Sequence, residues 1–320
     1  MCIIKARWAI VLGYCSLVTT VWAASVDINN GRSLSILGKL RAGQLQLGET
    51  LSALARRYDV GYDEVVAANP HIDMQHMQAG DTLIIPSKHL LLAKPREGIV
   101  VNLPERRLYH YDSQRHVSTY PVGVGEIGWS TPLGVMTIIG KRENPTWYVP
   151  NSVWLKNAEE GVTLPRVVKP GPDNPLGSRA MRLSQPSYLI HGTNAPSGIG
   201  KRSTAGCISL YPEDVVRLYN KSPIDTKVTV IDEDVKWAII DHKLCLELHE
   251  PLQHAGDGVS EREAKRALQQ KKIMALASNY TIRASDKAYW NQVRHETLGV
   301  PQCVWLEEGE QSAGANKNNT

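Results

Sequence analysis

Short apolar runs separated by glycine and proline limit the fold of the central region more than any other feature. Runs of this kind, rich in β-branched residues and bounded by turn residues, predict β-strands. They occupy residues 99–103, 107–111, 120–125 and 134–140, and residues 187–232 return to the same pattern with one helix near 213–220. Strands this short and this closely spaced are typical of an antiparallel sandwich or barrel, so the sequence predicts a mainly β fold.

The chain is long enough for more than this one region. Its 320 residues leave room for about two domains. Hydrophobic residues make up 42% of the chain and the formal net charge is +4, which excludes a wholly disordered chain. The small positive charge also argues against nucleic-acid binding through bulk charge.

The first 23 residues have the pattern of a secretory signal peptide. Lys5 and Arg7 precede an apolar run, and Val21-Trp22-Ala23 supplies small residues for cleavage after Ala23. No later segment approaches the 18 apolar residues of a spanning helix, so no transmembrane segment is expected. The predicted mature protein retains three cysteines, Cys207, Cys245 and Cys303.

Residues 42–88 form a small predicted unit with the order helix, helix, strand. Thr50 is placed to cap the first helix, Pro70 ends the second, and residues 82–85 form the strand. This unit resembles a LysM module through Gly48-Glu49-Thr50-Leu51, residues 65–70 and residues 80–86. The resemblance implies binding of N-acetylglucosamine-containing glycans such as peptidoglycan, and a packing role without glycan binding stays open.

Residues 142–180 have a different composition, with six prolines and three aromatic residues, Trp147, Tyr148 and Trp154. A long ordered loop is usually functional, and we interpret this one as a lid. A C-terminal subdomain is predicted over residues 233–306, with a strand at 244–248 and a helix starting at a capping box of Ser260 and Glu263. Residues 307–320 are polar and predicted to be disordered.

One histidine and one cysteine stand out as a candidate catalytic pair. His191 ends an apolar run before Gly192, and Cys207 follows Gly206 across a Gly/Ser-rich loop. An imidazole can remove the proton of a neighbouring thiol and later protonate a leaving amine. The backbone N–H groups near Gly206 could stabilise an oxyanion. A buried structural cysteine beside a core histidine is the alternative.

The motif His191-Gly192-Thr193-Asn194, followed by Ser203-x-x-Gly206-Cys207-Ile208-x-Leu210, resembles the signature of YkuD-type L,D-transpeptidases. The wider chain is similar to the ErfK/YbiS group of periplasmic enzymes. The resemblance implies a β-sandwich with a cleft under a lid, Cys207 as nucleophile, His191 as general base and acid, and Gly206 as backbone oxyanion donor. It implies no metal and no organic cofactor. The expected substrate-binding residues are Tyr188, Gly192, Thr193, Asn194, Ser203, Ser209 and Arg182.

The reaction that this resemblance implies has two steps. Cys207 attacks the carbonyl between diaminopimelate and the terminal D-Ala of a peptidoglycan tetrapeptide, and an amine then attacks the resulting thioester. In the ErfK/YbiS group the amine typically belongs to a C-terminal lysine of an outer-membrane lipoprotein. The alternatives are 3→3 cross-linking, L,D-carboxypeptidase hydrolysis and a catalytically silent peptidoglycan-binding protein.

Two further expectations concern single positions. The family commonly has arginine two residues after the nucleophile, where this chain has Ser209. Serine cannot replace the charged, bidentate guanidinium of arginine, so either the substrate contact is altered or another cation takes over, with Arg179, Arg182, Lys201 and Arg202 as candidates. We also predict a Cys245–Cys303 disulfide that leaves Cys207 free, with two unpaired buried thiols as the alternative.

Overall fold

The computed structural model describes residues 25–27, 35–112 and 116–307. The predicted signal peptide and nearly all of the predicted disordered tail lie outside these residues. Within the described part of the chain, no helix combines the length and the apolar character that crossing a membrane requires.

The region that precedes the central sheet is a small α/β unit. Thr50 caps its first helix as predicted, because the Thr50 hydroxyl accepts a hydrogen bond from the Ala53 N–H at 3.2 Å. The structure adds three strands before this helix that the sequence pattern did not predict. The elements of this unit are β2 Ile36–Gly38, β3 Arg41–Gln44, α1 Leu51–Arg57, α2 Tyr62–Ala68, β4 Thr82–Ile85 and β5 Lys88–Leu90, and they follow β1 Ser25–Asp27, which pairs with the central sheet.

The central region is built on a large β-sheet, which confirms the mainly β prediction. Its elements are β6 Gly98–Asn102, β7 Arg107–Tyr111, β8 His116–Pro121, β9 Val124–Gly125, β10 Gly134–Glu143, β11 Trp147–Tyr148, α3 Asn151–Glu159, β12 Val167–Val168, β13 Arg179–Leu183, β14 Leu189–His191, β15 Arg202–Thr204, β16 Ile208–Ser209, α4 Pro212–Lys221 and β17 Lys227–Ile231. Nine strands pair in the order β1-β8-β7-β6-β17-β10-β13-β14-β16. Leucine, isoleucine, valine and methionine side chains fill the face that α4 covers.

The sheet is mixed, whereas the spacing of the strands favoured an antiparallel arrangement. Strand β17 runs parallel to β6, and β14 runs parallel to β16. Parallel neighbours need a crossover connection between them. The crossover before β16 contains β15, which runs parallel to β9. Because this crossover makes β14 and β16 parallel, the carboxyl ends of both strands lie at the same edge of the sheet.

The lid segment, residues 142–180, is more ordered than a loop. Helix α3 lies on the surface between the short paired strands β11 and β12, and it buries no residue of its own. Asn174 is fully buried and fastens the two ends of the segment, because its Nδ2 atom donates to the carbonyl of Pro145 at 2.8 Å.

A three-stranded sheet and two helices form the C-terminal region. The elements are β18 Val235–Ile240, β19 Lys243–Leu248, α5 Val259–Ala277, α6 Lys287–Val293 and β20 Gln302–Trp305. Cys245 and Cys303 lie directly opposite each other on β19 and β20 and form a disulfide, as expected. The predicted capping box was wrong by two residues. Gly258 is the N-cap, and its N–H donates to Glu261, so Ser260 lies inside the first turn.

Candidate active site

His191 and Cys207 come together because β14 and β16 are parallel neighbours. Ile190 is paired with Ile208, and His191 with Ser209. Cys207 therefore lies immediately before β16, beside the residue that precedes Ile190. The apolar residues of the two strands face the core, so the strands hold this end of the sheet in place.

His191 is buried and held in one tautomer. Its Nδ1 atom lies 2.6 Å from the carbonyl oxygen of Gly192. A carbonyl only accepts hydrogen bonds, so Nδ1 carries the proton and Nε2 keeps its lone pair. Burial lowers the pKa of His191 to about 4, although the Gly192 carbonyl opposes this shift. The imidazole is therefore neutral at pH 7 and able to accept a proton.

Cys207 is half-buried, and it is the free cysteine of the described residues. Its Sγ atom lies 3.7 Å from the carbonyl oxygen of Ser187, to which the thiol donates. Burial raises the pKa of Cys207, and a hydrogen bond with the Leu189 backbone partly offsets this rise. The thiol of Cys207 and the imidazole of His191 are therefore both neutral at rest.

The turn before Cys207 requires glycine. Gly206 has φ +98°, and a Cβ atom there would lie 2.8 Å from the ring of Tyr188. The Thr204 hydroxyl donates to the carbonyl of Cys207 at 2.6 Å and holds the turn. A fixed turn without a side chain at Gly206 is the kind of backbone that can present N–H groups to an oxyanion.

Three of the expected substrate-binding side chains are engaged with the backbone. The Thr193 hydroxyl accepts from the Ala195 N–H, and Asn194 donates to the Asp173 carbonyl. The Ser203 hydroxyl donates to the Gly198 carbonyl. These contacts order the loop after His191, which is a positioning role.

Ser209 and two arginines lie on the same face of the sheet as His191. Strand register pairs Ser209 with His191, His191 with Ala180, and Ala180 with Arg142. Directly opposed residues share a face, so these side chains point to one side. Arg182 also lies on this face, against Gly140. Ser209 is buried against Gly123, and its short side chain carries no charge toward the site.

Arg142 and Arg182 are exposed and form no ion pair with any described residue. Arg182 is paired with Leu189, which lies beside Cys207. Two strand spacings, about 10 Å, therefore separate Arg142 from His191, and the same spacing separates Arg182 from Cys207. Arg142 was missed by the sequence analysis, because only the strand register shows which face it occupies.

Residues 96–230 match the family model described as the L,D-transpeptidase catalytic domain, YkuD. Residues 45–86 match the LysM domain. The "Probable L,D-transpeptidase YcfS" of Escherichia coli is 40% identical over 216 residues, which is 66% of this chain and 68% of that protein. This chain belongs to the L,D-transpeptidase family.

Other similarities agree with that assignment. The "Probable L,D-transpeptidase YbiS" of Escherichia coli is 35% identical over 76% of this chain and 79% of that protein. A solved structure, L,D-transpeptidase 3 from Mycobacterium tuberculosis, matches 49% of this chain and 77% of that chain at 15% identity, with a TM-score of 0.34. This last similarity is too weak to add to the assignment. The predicted resemblance to YkuD and LysM families is confirmed.

The lid segment of the transpeptidase is fastened to the loop beside Cys207. Lys156 on α3 forms an ion pair with Glu126, and its ammonium lies 5.5 Å from the centre of the Trp129 ring. The Trp129 carbonyl is 3.5 Å from the position that a Cβ on Gly206 would take. The loop that contains Glu126 and Trp129 thus lies between the lid and the turn of Cys207.

A second polar cluster in the transpeptidase has the residue types of a metal site but a different occupant. His89, Glu105 and Glu247 are buried with ligand-type atoms within 4.8 Å of one another. The Lys236 ammonium lies 2.7 Å from Glu105 and 2.6 Å from Glu247. Since this ammonium already supplies the positive charge, the cluster is an ion network.

Proposed function

We propose that this transpeptidase cleaves the bond between diaminopimelate and the terminal D-Ala of peptidoglycan tetrapeptide stems through a Cys207 thioester. The observation that carries the proposal is the parallel pairing of β14 with β16, which puts His191 opposite Ser209 and therefore two residues along the neighbouring strand from Cys207. The imidazole tautomer set by Gly192 supports it, because Nε2 is left free to accept a proton.

In the first step the thiol proton passes to Nε2 of His191, and Sγ of Cys207 bonds to the scissile carbonyl carbon. The carbonyl oxygen becomes an oxyanion near the backbone of Gly206. The C–N bond then breaks, and the imidazolium protonates the departing amine of D-Ala. Because both resting groups are neutral, the proton moves as the C–S bond forms.

In the second step an acceptor amine attacks the thioester carbon. His191 takes a proton from this amine, and the Cys207 sulfur leaves and is reprotonated. We propose that the acceptor is the C-terminal lysine of an outer-membrane lipoprotein, and that the reaction takes place in the periplasm. The LysM domain would hold the peptidoglycan glycan. Exposed Arg142 and Arg182 would bind carboxylates of the stem peptide.

Mass spectrometry of the products tests this function. Mature protein is incubated with a diaminopimelate-containing disaccharide tetrapeptide and a peptide that ends in lysine, with Cys207→Ala as the matched control. We expect release of D-Ala and a tripeptide joined to the lysine peptide, both absent with Cys207→Ala. A thioester adduct on the peptide that contains Cys207 is expected when the acceptor is omitted.

The other products have distinct meanings. A dimer of tripeptides would assign 3→3 cross-linking, and free tripeptide alone would assign hydrolysis by water. Full turnover by Cys207→Ala would overturn the thioester mechanism. No product from folded wild-type protein would contradict the proposed substrate.

A further inference from the structure

The LysM domain packs against the segment that joins the proposed base to the proposed nucleophile, residues 192–206. At the start of α2, the Tyr62 N–H donates to the Ile199 carbonyl at 3.3 Å and the Asp63 N–H donates to the Gly200 carbonyl at 3.2 Å. The two domains therefore meet backbone to backbone. A tether between independent modules would not produce such a contact.

Two glycines make this close contact possible. A Cβ atom on Gly200 would lie 2.2 Å from the Cα of Gly61, and a Cβ on Gly61 would lie 2.7 Å from the Cα of Gly200. Real Cβ atoms do not come this close to backbone. The ammonium of Lys201 lies 3.6 Å from the centre of the Tyr62 ring and adds a cation–π contact at the same place.

A buried ion pair fixes α2 to the central sheet. Glu64 accepts the Gly61 N–H at 2.9 Å and so caps its own helix. The same carboxylate accepts Nε and Nη2 of Arg107 at 2.9 and 2.6 Å. Arg107 belongs to β7 and is 1% exposed. A bidentate pair that is removed from water has a defined geometry, so the domain is held in one orientation.

A short series of hydrogen bonds connects this contact to Cys207. The Lys201 carbonyl accepts the Val124 N–H at 3.1 Å, and the next residues form β15 against β9. Thr204 ends β15, and its hydroxyl binds the Cys207 carbonyl. The segment is therefore held by the LysM domain at Ile199 and Gly200 and by the nucleophile turn at its end.

We propose that the docked LysM domain is a positioning element of the active site. It holds the connection between His191 and Cys207 and thereby sets how the thiol lies relative to the imidazole. Gly61, Tyr62 and Gly200 are positioning residues in this sense. The inference rests on the proposed roles of His191 and Cys207. It requires the domain to affect turnover of a substrate too small to touch it.

Gly200→Ala tests this inference, with Gly48→Ala as the matched control. The two glycines have φ +78° and +73°, so alanine is similarly strained at both, but nothing lies within 4 Å of a Cβ on Gly48. The substrate is a tetrapeptide stem without glycan. We expect Gly200→Ala to lower kcat about tenfold or more with KM within about twofold, as for a displaced catalytic group. Gly48→Ala should match the wild type.

A second readout needs no substrate and so separates this inference from the proposed function. Alkylation of Cys207 by iodoacetamide is followed by peptide mapping between pH 6 and 10. We expect Gly200→Ala to move the midpoint toward lower pH, because a loosened segment exposes the thiol that burial now keeps protonated. If the wild type makes no transpeptidation product, this profile still reports on the positioning of Cys207.

Tyr62→Leu is a milder variant that keeps the backbone contact and removes the ring beneath Lys201. If Gly200→Ala does not fold, Tyr62→Leu tests the inference in its place. We expect it to lower kcat by less than Gly200→Ala would. Folded variants with wild-type kcat and a wild-type alkylation profile would overturn the inference. Loss of activity only on polymeric peptidoglycan would also overturn it, since the domain would then act through binding alone.

Discussion

At the scale of single residues, burial gives His191 a pH-dependent effect on stability. The neutral imidazole is preferred in the folded state, where its pKa is about 4, compared with 6.5 for a free histidine. A lowered folded pKa means that the stabilisation is complete above pH 6.5 and is lost as the pH falls toward 4. Other groups titrate over the same range, so the contribution of His191 must be isolated by substitution.

We expect acidification from pH 7 to pH 4 to lower the free energy of unfolding of the wild type by about 3 kcal/mol more than that of His191→Gln. Urea unfolding of both proteins at the two pH values measures this difference. Equal losses in the two proteins would show that His191 titrates normally in the folded state.

The two arginines on the His191 face give a second prediction at this scale. Arg142→Gln and Arg182→Gln should each raise KM for the tetrapeptide about tenfold, because a charge-assisted hydrogen bond to a carboxylate is lost, while kcat changes little. Arg41→Gln, an exposed arginine on β3, is the control. Steady-state kinetics provides the measurement, and an unchanged KM in both variants would exclude carboxylate binding at this face.

Local sequence was sufficient to single out His191 and Cys207 as candidates, since each follows or precedes a glycine within a short motif. It was not sufficient for Arg142. That arginine is distant from the motif along the chain, and only the pairing of β10 with β13 brings it to the same face.

At the scale of elements, one half-buried lysine, Lys156, ties helix α3 of the lid segment to the loop beside Cys207. Removing the Lys156 ammonium breaks its ion pair with Glu126 and its contact with Trp129. We expect Lys156→Met to speed alkylation of Cys207 about twofold to fivefold, the range expected when one exposed ion pair is lost. Lys271→Met on α5 is the control, because this lysine is exposed and distant in sequence. Wild-type alkylation rates in Lys156→Met would mean that the lid does not limit access.

Helix α3 shows why part of this segment could not be predicted. The prolines around this helix indicated a loop. The helix buries none of its own residues, so its sequence needs no apolar face. A helix without a buried stripe has no apolar periodicity to detect. By contrast, α1 was predicted well, since Leu51, Leu54 and Ala55 pack into the LysM core.

At the scale of the whole molecule, the Lys236 network joins three parts of the chain. Lys236 on β18 bridges Glu105 of the central region and Glu247 on β19. The Glu247 carboxylate also accepts the N–H of Leu90 in β5, next to the LysM domain. Burial is the largest influence on Glu105 and raises its pKa, but the charges of Lys236 and His249 and the hydrogen bonds from Lys236 and Tyr109 together outweigh burial and lower the pKa to about 2. Glu105 and Leu90 are distant from Lys236 and Glu247 along the chain, so the network could not be predicted from local sequence.

We expect Lys236→Met to lower the free energy of unfolding by about 3–5 kcal/mol, because it leaves two buried carboxylates without their cation. Thermal and urea unfolding measure this loss, with Lys287→Met on the surface of α6 as the control. Adding Glu105→Gln and Glu247→Gln to Lys236→Met should restore part of the stability. A loss below about 1 kcal/mol would contradict the importance of the network.

The glycine-to-glycine contact between Gly61 and Gly200 has a geometric consequence for a long polymer. A module on a flexible linker searches a volume around the enzyme and accepts many angles of approach. A module that packs directly against the backbone of the central region permits only one angle of approach for a bound strand. A glycan strand held there would cross the enzyme along a single track. The enzyme would then select stem peptides by their position along the strand as well as by their chemistry.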